Sequence, residues 1–387
     1  MVVLVAAGAG YGGGNIGPAT TAISREFGIS LSTVGLTMTV FFAAITVVTL
    51  GAAPIAHRLG PKLSIILCCV LAAVGNLICT VSPWFAGVLA GRAVVGLGAG
   101  LVFVIVPVVA RASGGARLVG LFGAAVTIGV AVALAIGSVL ADAGVSWRVG
   151  LAISALVGAS ALVTLPREVT ATAQPARRTS GFIGRALREP AVWQLVILFI
   201  GTNGIGLVIS TWLIQYLTGH GGDPLWLAGV LGFVLFAETA LLRRVSGRLA
   251  EAGPTQRRLA AVSPLVSALG LAGLALNADA LPALLWVLLM GVGFALPYAV
   301  VIERAQRLFP ESAAEVMAVI QTGPNVVPMV VIPLVGSALD AGHGPAAMAA
   351  LAAFIAFAAL LNAGRGATGS RSADRPDTRT AAPSATT

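Results

Sequence analysis

Apolar residues along this chain run in long blocks, and short polar or Gly/Pro turns separate them. Each block is long enough to cross about 30 Å of hydrocarbon as a helix. The pattern predicts twelve spans, the first six at 2–22, 31–52, 63–81, 84–107, 118–140 and 149–165. The second six are 191–217, 225–242, 259–278, 281–302, 313–336 and 345–362. The blocks must be helices, because lipid cannot satisfy open backbone groups. An all-α chain of two six-helix units follows, 1–165 and 191–362. The Arg-rich stretch 166–190 joins them, and a tail at 363–387 is too poor in apolar residues to fold alone. The first block begins at Val2 with almost nothing before it, so the natural start is expected upstream.

Composition agrees with the pattern. Of 387 residues 58% are hydrophobic and 10% are charged, against about 25% charged in a soluble domain, and the mean hydropathy is +0.98. A cytosolic enzyme, a disordered chain and a nucleic-acid-binding protein are excluded on that ground, despite a pI near 10.9. Charge then sets orientation. With the loops placed alternately, all but three of the 23 Lys and Arg residues share the side of both termini, Arg243 and Arg244 being counted with the turn after the eighth span. Arg25 and Arg148 fall on the other side, and Arg92 lies inside the fourth span. The positive-inside rule makes the basic side, the linker and the tail cytoplasmic in a multi-pass protein of the cell membrane. The arginines are read as topology anchors in contact with anionic lipid, with no nucleic-acid partner.

The chain repeats once. The turn 53–62 returns at 247–258, Gly96–Gly100 of the fourth span returns at 291–295 of the tenth, and 136–144 returns at 335–342. A fainter pair sets Asn15 of the first span against Asn203 of the seventh. With these parallel halves the chain resembles the major facilitator superfamily over essentially its whole length. The turn after the second span is similar to that family's basic-Gly turn, with Arg58, Gly60 and Lys62 matching and His57 at the acidic position. Its second copy matches at Gly247, Leu249 and Ala250 and keeps an acid, Glu251. Arg92, Gly96 and Gly98 match the fourth-helix pattern, and Trp147 and Arg148 the pair that follows the fifth helix. The resemblance implies a gating role for His57, Arg58, Gly60, Gly247 and Glu251. It also implies a substrate site near the midplane, between halves related by an axis along the membrane normal.

Polar residues inside spans are costly, so each is a candidate for function. Arg92 is expected near mid-membrane, either contacting substrate or acting in structure and proton-linked gating. Tyr11 and Asn15 share a helix face in YGGGNIGP, where the glycines and Pro18 permit a bend or serve close packing. Gln321 and Asn325 repeat that spacing around Pro324, in a helix read either as a gate or as a kinked packing element. Asn203, Trp212, Gln215 and Tyr298 are further cavity candidates. Glu238 suits a proton carrier, or a carboxylate paired near the interface with Arg243. Trp84, Trp147 and Trp226 read as interfacial anchors.

Cys68, Cys69 and Cys79 share one apolar run without metal-type spacing, the three histidines are scattered, and no nucleotide-binding GxxxxGK[ST] motif occurs, so no cofactor is expected. Clustered His, Asp or Cys at one depth, as an intramembrane enzyme would need, is absent from the sequence pattern. The reading is a monomeric secondary transporter of a small organic molecule working by alternating access, with proton-coupled efflux leading. Uptake of a small organic anion is the alternative within transport, and a sensor that binds without translocating is the alternative outside it. Single cysteines placed at Gly181 and Asp223 should label from opposite sides of the membrane; labelling of both from outside would contradict the topology.

Overall fold

A computed structural model describes residues 1–164, 187–250, 253–308 and 313–364, with side chains at 50–57, 116, 245–250, 253–257, 313–315, 318 and 364 set aside. Every regular element among them is helical. Ten helices are apolar and long enough to cross a membrane. The sixth span is the shorter Trp147–Val163. The first is broken. Together they account for the twelve spans of an all-α membrane protein.

Local chemistry explains the turns and breaks. Spans two and three form one helical trace, Leu31–Val81, interrupted at Gly60 (φ 71°). Spans four and five form another, Phe85–Asp142, interrupted at Gly114 and Gly115, the latter at φ 60°. These left-handed positions cost glycine little and an L side chain much. The first span runs as Val2–Gly14, a 3₁₀ turn Gly17–Ala19 around Pro18, and Thr20–Phe27. The bend allowed by the glycines and Pro18 is therefore present, and close packing is present with it. A Cβ on Gly10 would collide with the Val126 carbonyl, and one on Gly129 with the Ala7 carbonyl, so spans one and five touch through backbone. The seventh span breaks too, which the sequence did not reveal. Pro190–Phe199 passes through a π turn, Ile200–Gly204, into Ile205–His220, and Asn203 sits in that turn.

The two halves meet unevenly. Call the end carrying Arg58, Lys62, Arg117 and Arg258 the basic end, and that carrying Glu26, Trp147, Asp223 and Asp340 the opposite end. Toward the opposite end one apolar cluster joins both halves, with Ile23, Met38 and Phe41 from the first and Trp212, Ile332 and Met348 from the second. Toward the basic end the core divides. Ile65, Leu101 and Phe122 cluster within the first half, and Val192, Phe199 and Ile320 within the second.

Polar contacts fasten the joined end. Asp340, closing the eleventh span, accepts from the Leu31 and Ser32 amides at 3.0 and 3.1 Å. Those amides open the second span, where a helix N-terminus favours a carboxylate. One turn along, Gly35 lies against Pro333 with room for little more than hydrogen. Pro333 has no N–H, so the Met329 carbonyl four residues before it loses its helical donor. Thr39 of the second span supplies one across the halves, at 2.7 Å. Spans five and eight meet where Gly229 backs onto Ser138 and Gly232 onto Leu134. Spans one and seven meet through a hydrogen bond from Thr21 to Gln215.

Glu26 ties the first span to the start of the sixth. It accepts from Trp147 Nε1 at 2.6 Å and pairs with Arg148 at 2.6 Å. Trp147 is 8% exposed with its donor engaged, which corrects its reading as an interfacial anchor; Trp84 and Trp226 are exposed and keep that reading.

Thr39→Val should loosen the joined end specifically. An interhelical hydrogen bond in a membrane is worth about 0.6–1.7 kcal/mol, so the open population should rise about three- to twentyfold. Thiol labelling of a cysteine at Ser138, which is buried against Gly229 of the other half, reads this as a faster rate, and an unchanged rate would contradict the fastening role of Thr39.

Candidate functional site

Arg92 lies seven residues past Phe85 in the fourth span, about 10 Å along the helix at 1.5 Å per residue. It is fully buried, and its partners belong to the first half alone. Nη1 donates to the Gly12 carbonyl at 2.8 Å and to Asn15 Oδ1 at 3.3 Å. Nη2 lies 3.2 Å from the Met38 sulfur, and the guanidinium sits over the Phe41 ring at 4.4 Å. The broken first span explains how a buried cation is tolerated. Gly12 is in the last turn of Val2–Gly14, where carbonyls lack helical donors and the helix dipole is negative. Asn15 extends the network by donating to Asn76 at 3.4 Å, and Asn76 donates back to the Ala72 carbonyl at 2.8 Å. Arg92 thus fastens the break from within its own bundle and presents no exposed surface to a ligand.

A second arginine faces the space between the halves. The eighth helix, Leu225–Ala250, runs past the boundary expected at 242, so Arg243 belongs to the span and not to the turn. The half-buried side chain donates from Nη1 to Thr127 Oγ1 of the fifth span at 3.0 Å. Nη2 donates to Asn203 Oδ1 in the π turn of the seventh at 2.9 Å. The guanidinium lies 4.5 Å over the Tyr298 ring of the tenth span, which itself packs on Phe199 at 5.8 Å. Thr127 donates its own proton to the Gly123 carbonyl at 3.1 Å, leaving a lone pair for the arginine. The two nests echo each other. Each guanidinium bonds the asparagine at the break of its half's first helix and stacks on an aromatic ring. The roles of the second and fourth helices are exchanged between halves: Arg92 with Phe41, then Tyr298 with Arg243.

The other expected residues distribute as follows. Tyr11 and Trp212 are buried, and Trp212 donates to the Ile332 carbonyl at 2.9 Å, which binds spans seven and eleven together. Gln215 is held by Thr21 in the joined end. Asn325 is half-buried and Gln321 exposed. Glu238 lies on the eighth span, where a Cβ on Gly291 of the tenth would stand 2.5 Å from its Oε2. That oxygen is buried and has no hydrogen-bond partner among the described residues. Arg58 is exposed beside the Gly60 turn. Glu251 and the His57 side chain lie outside the described residues, and Gly247 is described only as backbone of Leu225–Ala250.

Sequence reasoning missed Arg243, Thr127, Asn76 and Phe41. A signal for Arg243 was present, because the buried positions Ala228, Gly232, Leu235 and Thr239 advance by three or four residues toward it, the period of one helix face.

Comparison with known proteins agrees with this architecture. The family model of the Major Facilitator Superfamily matches residues 2–333. No curated protein matches the chain. Among solved structures it is similar to a bacterial homologue of the human lysosomal transporter Spinster, at 18% identity and a TM-score of 0.75 over 93% of this chain and 94% of that one. It is similar also to a D-xylose–proton symporter, at 16% identity and a TM-score of 0.75 over 93% and 95%. The inward-open xylose transporter XylE from E. coli gives 15% identity and a TM-score of 0.73 over 93% of each chain. At these identities the likeness is one of fold.

Arg92→Lys should lower the melting temperature in detergent. One ammonium cannot bond Gly12 and Asn15 while stacking on Phe41, and each hydrogen bond of a charged group that is lost costs about 1.5–3 kcal/mol. A melting temperature equal to wild type would contradict the fastening role.

Proposed function

The chain belongs to the major facilitator superfamily, and from that premise we propose that it exports a small organic molecule across the cell membrane in exchange for protons, both termini being cytoplasmic. The observation that carries the reading is the asymmetry of the core, single at the opposite end and divided at the basic end. Two bundles held together at one end only are what alternating access requires in one of its two states. The arrangement around Arg243, Asn203 and Tyr298 stands beside the division and supports a central binding site there. Asn325 and Gln321 of the eleventh span are proposed to flank that site. Glu238 is the proposed proton carrier, since a carboxyl oxygen with no donor facing it can bind and release a proton without breaking a bond. Arg58, Gly60 and the acidic position at Glu251 are proposed as the gate at the basic end.

A second reading, uptake of a small organic anion, draws support from the Arg243 guanidinium at the inter-bundle surface. The anion's charge would be met by Arg243, because Arg92 is enclosed by its own half. The two readings differ in the sign of proton movement. Proteoliposomes holding a pH-sensitive dye, given a panel of small organic solutes from outside, should turn alkaline inside as substrate enters if exchange is correct. Acidification would establish symport, and solute flux with no pH response would contradict proton coupling. Glu238→Gln should retain solute exchange while losing its dependence on the pH gradient; unchanged dependence would remove Glu238 from the proton path.

A further inference from the structure

The contacts of Arg243 with described residues divide between the two bundles, and that division carries an inference about both ligand and switch. Asn203 and Tyr298 belong to the same half as the arginine, whereas Thr127 belongs to the other. The first two keep their relation to Arg243 when the bundles rock, and the third does not. Thr127 is also the weaker acceptor. A hydroxyl already donating to the Gly123 carbonyl offers a neutral lone pair, whereas an anionic oxygen adds the attraction of opposite charges and can accept from both arms of the fork. The planar fork of a guanidinium supported from below by a ring is shaped for a carboxylate in its plane.

We propose that Arg243 is the residue that holds an anionic oxygen of the transported molecule, and that the anion takes over the Nη1 donor now given to Thr127. Loading the site then removes an inter-bundle hydrogen bond between spans eight and five. The ligand thereby binds the separated arrangement better than the joined one, which is the differential affinity any ligand-driven transition requires. Asn203 keeps the guanidinium in place through the exchange, and the π turn of the seventh span puts its side chain within reach. The proposal rests on reading the space between the bundles as the transport path.

The probes are benzoate, hexanoate and succinate, each paired with its uncharged amide, added to the purified full chain while its melting temperature is followed. At least one carboxylate should raise the melting temperature with a saturable dose dependence that its amide lacks. Arg243→Gln should abolish the shift, and Arg243→Lys, which keeps the charge without the fork, should weaken apparent affinity at least tenfold. Thr127→Val gives the distinguishing signature. It removes the competitor for Nη1, so carboxylate affinity should increase about two- to tenfold, the ratio equivalent to one hydrogen bond of about 0.5–1.5 kcal/mol. A threonine that only packs spans would give no such gain. The assignment is overturned if no carboxylate outperforms its amide, if binding survives Arg243→Gln unchanged, or if Thr127→Val weakens it. Carboxylate binding without flux in vesicles would leave the assignment standing and contradict transport. Equal flux of acid and amide would contradict the assignment and leave transport standing.

Discussion

A cation placed within a hydrocarbon slab must find its acceptors in the protein, because lipid supplies none. Arg92 finds them where the first span breaks, at the Gly12 carbonyl and the Asn15 side chain, with the Phe41 ring beneath. The break and the arginine are therefore one feature. Without the break, Gly12 would have a helical donor of its own. Without the arginine, the Gly12 carbonyl would lose the donor that satisfies it. The same economy governs the contact between halves, where Pro333 releases the Met329 carbonyl and Thr39 of the other bundle answers it. Irregular backbone in this protein is matched by polar side chains at the positions that hold helices together.

The second arginine differs in what it joins. Arg92 is enclosed by its own half, so its contacts can persist as the bundles move relative to one another. Arg243 reaches across to Thr127, at the level where the common core gives way to two separate ones. One guanidinium thus maintains the shape of a bundle, and the other reports on the distance between bundles. The first requirement is stability in both states, which full burial serves. The second is sensitivity to state, which the proposed exchange of Thr127 for an anion would serve.

Much of the fold was legible in the sequence, because membrane thickness fixes helix length and the basic turns repeat in phase. The importance of Asn15, Arg92 and Asn203 was legible too, since polar groups are few in such spans. Other features depend on relations that a linear reading does not contain. Arg243 sits next to Arg244 near a helix end, and adjacency to a turn hid that one of the pair points inward. The π turn at Ile200–Gly204 has no proline, and the packing that accommodates it comes from other spans: Gly204 lies against Pro324 and Gly201 against Ala358. Trp147 at a span end has the sequence signature of an interfacial anchor, yet Glu26, distant in the chain, claims its N–H. Asn325 and Gln321 were legible as in-span polar residues.

The halves are joined at one end in this state, and on the proposed cycle they trade that junction for one at the basic end. The most direct measurement is the distance between spin labels at Val145 and His343, in opposite-end loops of the first and second halves, recorded in lipid nanodiscs. Two distance populations are expected, with the longer one gaining when Asp340 is changed to Asn and its hold on the second span is weakened. A single distance, identical in both proteins, would contradict it.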